Sequence, residues 1–411
     1  MSYRLGVDVG GTFTDLLLIS EETGETYTAK VPSTPEDSSI GVLDGVARIC
    51  EESGVDPAKI NRVMHGTTVA TNAVLQGKGA KVGLVTTKGY EQTLQVARSF
   101  CPGGLGGWVT FNKNPLLAPL ELTIGADERM DANGGVIREL DEAALRKDLA
   151  ALHATGEVEA LTICFVNAYI NGANEVKAAA IAREVFGDTP ISVSSEVVPE
   201  MQEYERTETT VMNSYVRPEM SIYVTNLQAA LKKRMGDEVL LSLLRSDGGL
   251  ASGRAAAESP VNMLMSGPAG GVTGAIYFCS RAGFDDILTF DMGGTSTDVA
   301  LIQDSKARVR RETTPPVMAD DMCFDMIHAR ELIRAATTKA LEAREEIAPL
   351  RVDSPITLEI ELQSAQMADV LERVVGVERL DGRNVRVVAE DMLTIHRYFL
   401  TIITMSGTVY A

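Results

Sequence analysis

One eight-residue pattern occurs twice in the chain and carries residue types that bind phosphate. Residues 8–15 are DVGGTFTD and residues 291–298 are DMGGTSTD, and the two copies match at six of eight positions. Paired glycines let the backbone turn tightly and leave its N–H groups uncovered, and threonine hydroxyls add donors. An aspartate at a strand end can hold a hydrated Mg²⁺ or orient a water. The repeat therefore predicts a two-part phosphate clamp, whereas a single copy would favour an ordinary glycine hairpin.

Charge and composition limit what the partners can be. The 411 residues include 38 Lys+Arg and 57 Asp+Glu, which gives a net charge of −19, and there is no basic run. Nucleic acid or an anionic membrane is therefore disfavoured as the main partner. An anionic ligand must be held by local backbone dipoles and metal. No segment approaches roughly 18 consecutive apolar residues. Five widely spaced cysteines without a CxxC pair indicate reduced thiols, so we expect a cytoplasmic protein.

Short β-rich runs alternate with amphipathic stretches, which predicts an α/β fold. Each copy of the repeat lies between two such runs. Strands are expected at residues 3–9, 16–20, 81–86, 160–166, 191–194, 239–244, 287–291 and 356–362. Helices are expected at residues 36–53, with Thr34 as N-cap, and at 142–153, 173–186 and 203–215.

Seven segments, in order, carry a resemblance to a known family. They are LGVDVGGTFTD, VMHGTTVATNAVL, LVTTKGY, SSEVVPEMQEYERTETTVMNSYVRP, LRSDGGLAS, MSGPAGGV and TFDMGGTSTDVALI. Residues 1–314 resemble the ATP-dependent hydantoinase/5-oxoprolinase family of the N-methylhydantoinase A type, within the actin, sugar-kinase and Hsp70 superfamily. The resemblance implies a ribonuclease-H-like fold that uses ATP to open a cyclic amide such as N-methylhydantoin or 5-oxoproline, together with a hydantoinase B-type partner subunit. Family members that act on ketones as carboxylase subunits provide the alternative.

The resemblance also assigns site residues. Asp8 and Asp291 would take catalytic roles as Mg²⁺-binding or water-orienting groups. The two phosphate loops would be formed by Gly10, Gly11, Thr12 and Thr14, and by Gly293, Gly294, Thr295 and Thr297. The segment 266–272, which contains Gly270 and Gly271, is expected to open a helix whose N–H groups face an anion. Close packing of this glycine-rich segment against a strand is the alternative.

Two further segments carry polar side chains that could act on a substrate. His65, in His-Gly-Thr-Thr before a predicted helix, is a candidate catalytic group for substrate binding or proton transfer; a hydrogen-bonded structural histidine is the alternative. In the run 203–208, Glu205 and Arg206 could contact substrate, but a solvated charged helix face is favoured.

The resemblance stops near Thr314. The segments that seat adenosine in this superfamily are not found there, and residues 325–411 instead resemble the C-terminal region of zinc D-aminopeptidases of the dipeptide-operon type. The Asp-Met-Glu-Gly motif of those enzymes is absent, so no zinc activity is expected. We predict an N-terminal domain at 1–198, an incomplete core at 199–314, a junction at 315–324 and an α/β fragment at 325–411. Such a fusion, an inactive remnant in the extreme case, should turn over ATP weakly or not at all by itself.

Overall fold

The computed structural model describes residues 2–34, 38–97, 115–292, 297–307, 356–361, 377–381 and 384–389. For residues 290–292, 297–298 and the last three ranges it describes the backbone. The chain divides into two compact units, Met1–Val317 and Met318–Ala411. Among the described residues, no helix is both long and apolar enough to cross a membrane.

The first unit contains the following elements. Its strands are β1 Tyr3–Val9, β2 Phe13–Ser20, β3 Thr26–Pro32, β4 Ile60–Thr67, β5 Val82–Thr87, β6 Thr123–Ala126, β7 Arg129–Met130, β8 Val136–Arg138, β9 Ala160–Cys164, β10 Ile191–Val193, β11 Leu240–Leu244, β12 Leu250–Ser252, β13 Ile287–Met292, β14 Thr297–Gln303 and β15 Lys306–Ala307. Its α-helices are α1 Ser38–Ser53, α2 Val69–Leu75, α3 Thr93–Val96, α4 Glu142–Ala154, α5 Ala173–Phe186, α6 Ser194–Val197, α7 Glu203–Met235, α8 Gly253–Glu258 and α9 Ser266–Arg281.

The first sheet has six strands in the order β12-β11-β4-β1-β2-β3. Strands β1, β2 and β3 form an antiparallel meander, whereas β4 is parallel to β1 and β11 is parallel to β4. Three antiparallel strands followed by two parallel ones is the arrangement of a ribonuclease-H-like sheet. The α/β prediction and this fold class are therefore confirmed.

Helix α1 covers one face of this sheet. Its buried residues Val42, Val46 and Ile49 follow helical spacing and pack toward β2 and β3. Gly45 lies where α1 crosses β2, and a Cβ at this position would come within 2.2 Å of the Cδ1 atom of Leu16. A glycine is therefore required there for the helix to approach the sheet closely.

The second sheet has the order β10-β9-β5-β6, and all neighbouring strands are parallel. Strands β5 and β9 are buried along their whole length, as expected for strands that are covered on both faces. Helices α4 and α5 supply one layer of this core, and α7 packs against β9 and β10.

Helix α7 is much longer than the predicted 203–215. It has 33 residues and contains Pro218. Beyond the proline, Met220, Val224 and Leu227 belong to the core of the first sheet. Tertiary packing of this apolar stripe outweighs the local cost of the proline, so one helix packs in the first core and also contacts strands of the second sheet.

The described part of the second unit is a three-stranded antiparallel sheet. Its strands are β16 Ile356–Glu361, β17 Val377–Asp381 and β18 Asn384–Ala389, in the order β16-β18-β17. The strand predicted at 356–362 corresponds to β16.

The close approach of α1 to β2 gives a stability prediction. Gly45→Ala should destabilise the protein by about 1–3 kcal/mol, because the added methyl group overpacks the core against Leu16. Gly274→Ala in α9 is the matched control, since no atom lies within 4 Å of its Cβ position. The control should stabilise by about 0.5–1 kcal/mol through helix propensity alone. Urea unfolding of both variants tests this, and equal shifts would contradict the packing account.

Candidate functional site

The first copy of the repeat forms the β1–β2 hairpin, with its turn at residues 10–12. The Gly10 N–H donates to the Phe13 carbonyl at 3.0 Å. Directly after β3, the Ser33 hydroxyl donates to the Gly10 carbonyl at 2.8 Å, and the Ser33 backbone N–H donates to the Thr12 carbonyl at 2.9 Å. No atom lies within 4 Å of the Cβ position of Gly11, so the turn is held through its carbonyls while Gly11 lies in open space.

The two threonines of this copy have different environments. Thr12 lies exposed at the turn. Thr14 is fully buried, with its Oγ1 3.0 Å from the Ser33 hydroxyl oxygen. Thr12 is therefore available to a ligand at the turn, and Thr14 supports the turn from the core side.

A single row of side chains crosses four strands on the open face of the sheet. In the register, Asp8 is paired with Gly66 of β4 on one side and with Asp15 of β2 on the other. Asp15 is in turn paired with Lys30 of β3. A Cβ on Gly66 would lie only 3.1 Å from the Asp8 Oδ1 atom, so the glycine leaves room for that carboxylate. We call these four residues the transverse row.

The transverse row lies in the floor of a cleft of about 970 Å³. Gly6 and Leu17 belong to the preceding row on the same face and also line the cleft. Leu244 and Leu250 line it from the β11–β12 hairpin, and Arg48 and Glu52 line it from α1. The floor of the cleft thus has a row with the small or apolar residues Gly6 and Leu17, followed by the transverse row with its charged side chains.

The segment 266–272 opens helix α9, as predicted, and the N-terminal part of this helix forms a wall of the cleft. Gly267, Gly270 and Gly271 line the cleft. The Ser266 hydroxyl donates to the Thr67 carbonyl at 3.0 Å, which ties the helix start to the end of β4. A Cβ at Gly270 would meet the Leu244 Cδ2 atom at 2.7 Å, so this glycine also serves close packing.

The second copy of the repeat has the same hairpin register as the first. Asp291 pairs with Asp298 and Met292 with Thr297, just as Asp8 pairs with Asp15. Helix α9 contacts β4 and β11 of the first sheet and both strands of the second hairpin, β13 and β14. Gly293, Gly294 and Thr295 lie outside the described residues, and for Asp291 and Thr297 the backbone alone is described.

His65 lies on the other face of β4 from the transverse row. Its imidazole is 1% exposed, with Nε2 2.6 Å from the Tyr223 hydroxyl of α7 and Nδ1 3.4 Å from the Val7 carbonyl oxygen. Burial lowers the pKa of His65 to about 4. This environment favours the hydrogen-bonded structural histidine, with a neutral imidazole that joins β4 to α7, and the catalytic role stays a prediction.

The charged run at the start of α7 is not a solvated face, and that expectation was wrong at Arg206. This side chain is 1% exposed. Its guanidinium donates to the Phe165 and Glu200 carbonyls at 2.7 and 3.0 Å and to the Glu203 carboxylate at 3.3 Å. The arginine thus connects the loop at Phe165, after β9, to the loop at Glu200, and it does not line the cleft.

Asp15, Lys30 and Gly66 were not among the predicted site residues. Asp15 belongs to the repeat, but its role depends on pairing with Asp8 across the hairpin. Lys30 and Gly66 lie on β3 and β4, two strands that the local pattern did not reveal. The segment Thr26–Pro32, TYTAKVP, alternates in burial, and this alternation is the local pattern that indicates a strand at Lys30.

The chemical groups that line the cleft are of the types that bind a magnesium-bound triphosphate. It offers the start of a sixteen-residue helix and the carboxylate of Asp8, and the open glycine turn follows Asp8 at the tip of the same hairpin. Within the described ranges, no three His, Cys, Asp or Glu side chains converge as a metal centre.

Comparison with known proteins assigns most of the chain. The hydantoinase/oxoprolinase N-terminal region model matches residues 4–186, and the hydantoinase/oxoprolinase model matches residues 206–354. A D-aminopeptidase model matches residues 318–401. Both resemblances found in the sequence are therefore confirmed.

Individual relatives agree with these matches. Caprolactamase subunit alpha of Pseudomonas jessenii is 34% identical over 315 residues, and acetophenone carboxylase gamma subunit of Aromatoleum aromaticum is 33% identical over 330 residues. Each alignment covers 76% of this chain, and 45% and 44% of the respective relative. The chain thus spans less than half the length of these relatives.

Two solved structures share the fold. Nucleotide-free acetone carboxylase superposes with a TM-score of 0.67 at 29% identity, covering 74% of this chain and 44% of that one. The ATP-dependent caprolactamase of Pseudomonas jessenii gives a TM-score of 0.64 at 34% identity, covering 72% and 43%.

The contact between Gly66 and Asp8 predicts a local effect on the site. Gly66→Ala should weaken the binding of Mg·ATP while leaving thermal stability nearly unchanged, because the new methyl group displaces the Asp8 carboxylate. Gly6→Ala is the control within the same cleft, since its Cβ would meet the Leu17 carbonyl oxygen at an ordinary 3.8 Å. Calorimetric titration of both variants decides; equal affinities would refute the role given to Gly66.

The buried histidine predicts a pH dependence of stability. Because the folded-state pKa of His65 is about 4 against an ordinary 6.5, the unfolded chain takes up this proton first as the pH falls. Stability is fully present above pH 6.5 and is lost progressively toward pH 4, by about 3 kcal/mol in total. His65→Gln should remove this component. Urea unfolding at pH 7.5 and pH 5 should therefore give a smaller loss for the variant than for the parent, and identical losses would be inconsistent with a buried neutral imidazole.

Proposed function

Because the chain belongs to the hydantoinase/oxoprolinase family through residues 4–186 and 206–354, we propose that it uses ATP to open a cyclic amide. The observation that carries the proposal is the pair of hairpins with one register, the first of which contributes Asp8 and Asp15 to a cleft that the start of α9 also lines. One relative is named for a lactam, caprolactamase, and the matching family models are named for hydantoinase and oxoprolinase, which supports a cyclic amide as the substrate class.

ATP would supply a phosphoryl group to the lactam carbonyl oxygen, and water would then cleave the C–N bond, so that the ring-opened amino acid, ADP and phosphate result. The chain's own residues would bind and orient these groups. The backbone around Gly11 and the first turn of α9 provide N–H donors for phosphate oxygens. Asp8, at the end of β1, would hold a hydrated Mg²⁺ or orient the attacking water.

A partner subunit belongs to this proposal. The caprolactamase and acetophenone carboxylase relatives are named as subunits, and this chain spans less than half of each. We propose that the active assembly contains a hydantoinase B-type subunit. The D-aminopeptidase-like residues 318–401 receive no activity of their own in this proposal.

ATP-dependent carboxylation of a ketone is the second candidate. It is supported by the structural similarity to acetone carboxylase and by the identity to the acetophenone carboxylase gamma subunit. Both reactions would place phosphate against the same hairpins. Product analysis separates them: the first predicts a ring-opened amino acid from 5-oxoproline or N-methylhydantoin, and the second predicts fixation of labelled bicarbonate onto a ketone.

The proposed roles of the two aspartates can be tested together. Asp8→Asn and Asp291→Asn should each lower ATP-dependent turnover by about 100-fold or more, because a preorganised charge at the reacting groups is removed. The assay uses the full chain with its B-type subunit and measures ADP and product together. Asp148→Asn, on the exposed side of α4, is the control and should retain full turnover. Undiminished turnover in both aspartate variants would rule out these roles, and no turnover by the parent assembly would favour an inactive remnant.

A further inference from the structure

We propose that Lys30 is a phosphate-binding residue of the cleft and that it exchanges its ion pair with Asp15 for the oxygens of a magnesium-bound triphosphate. This inference rests on the proposed use of ATP and extends it to a residue outside the repeat. Lys30 has no place in either phosphate loop, and its position follows from strand pairing alone.

The first observation is the place of Lys30 in the transverse row. Asp8, Asp15 and Lys30 stand side by side on β1, β2 and β3, on the open face of the sheet. Neighbouring strands lie about 4.8 Å apart, so the Lys30 backbone is about 10 Å from that of Asp8. An ammonium group on a four-carbon side chain can cross much of that distance. Both residues line the same cleft.

The second observation is the present environment of the ammonium group. The Lys30 Nζ lies 3.0 and 3.1 Å from the two Asp15 carboxylate oxygens and 5.0 Å from the centre of the Phe13 ring. Phe13 is the first residue after the glycine turn, so these contacts hold the charge near the hairpin tip. The Lys30 and Asp15 side chains are 56% and 52% exposed. An exposed pair of this kind contributes little to stability, which makes it easy to exchange for a stronger anion.

The third observation is the charge balance of the cleft. Its lining cations are Lys30 and Arg48. Arg48 donates to the Lys30 carbonyl at 3.0 Å and to the Glu52 carboxylate at 2.8 Å, which fixes it at the outer edge of the sheet. Lys30 is the cation closer to Asp8 across the strands. In a chain of net charge −19, a polyphosphate needs such a local positive group.

The experiment is calorimetric titration of the full chain with Mg·tripolyphosphate and with Mg·ATP. Lys30→Met should weaken both by about tenfold or more, because a charge-assisted hydrogen bond is lost. Lys30→Arg should retain most of the affinity. Asp15→Asn should bind the probes more tightly than the parent, because the competing carboxylate is gone. Lys81→Met is the matched control: Lys81 pairs with Glu157 at 3.5 Å, is similarly exposed, and lies outside the cleft.

Two results would overturn the inference while leaving ATP use intact. One is a Lys30→Met chain that binds both probes as the parent does. The other is an Asp15→Asn chain that binds as weakly as Lys30→Met, since this would make the ion pair a structural element of the site. A parent chain that binds neither probe would overturn the proposed use of ATP together with the inference. Thermal unfolding of every variant shows that the compared chains are equally folded.

Discussion

The pairing register of β1 with its two neighbours is the constraint on which the cleft depends. Side chains alternate between the faces of a strand, so a shift of one residue would send Asp8 into the core and Val7 into the cleft. The buried residues Leu5, Val7 and Val9 prevent that shift, because they belong to one hydrophobic core with residues of α1 and α7. The polar row on the open face is therefore fixed by apolar burial on the other face. The alternation of side chains along β1 therefore determines both the packing of the core and the position of the Asp8 carboxylate.

Helix α7 extends this constraint through the whole first unit. One part of it packs on β9 and β10, and the part beyond Pro218 packs under the first sheet. There the Tyr223 hydroxyl meets His65, whose neighbour Gly66 lies next to the Asp8 carboxylate. The floor of the cleft is thus supported from behind by a neutral hydrogen-bonded pair. A charged histidine at this position would oppose folding, which is why burial and a depressed pKa occur together.

The repeat, the fold class and several elements could be predicted from the local sequence. Residues that become neighbours through strand pairing could not be predicted in this way. Helix α5 has the predicted bounds, because its apolar spacing and its terminal glycine are both local signals. Strands β3 and β4 were missed, and Lys30 and Gly66 were missed with them. Strand β3 is an edge strand that pairs with β2 alone, whereas the partners of β4 are β1 and β11, which lie far along the chain. Arg206 was misjudged for the same reason: its partners at Phe165 and Glu200 lie on loops that only the folded chain brings together.

The acidic character of the chain explains why the cations of the cleft stand beside carboxylates. Fields from distant charges fade over a Debye length of about 8 Å at physiological salt, so the net charge of −19 hinders a polyanion mainly from nearby groups. Asp8, Asp15 and Glu52 would repel phosphate if they stood alone in the cleft. Asp15 is paired with Lys30, and Glu52 is paired with Arg48, so these two ion pairs form a nearly neutral surface. The backbone dipoles of the glycine turn and of α9 can then decide where an anion binds, and a metal ion at the Asp8 side would complete the neutralisation.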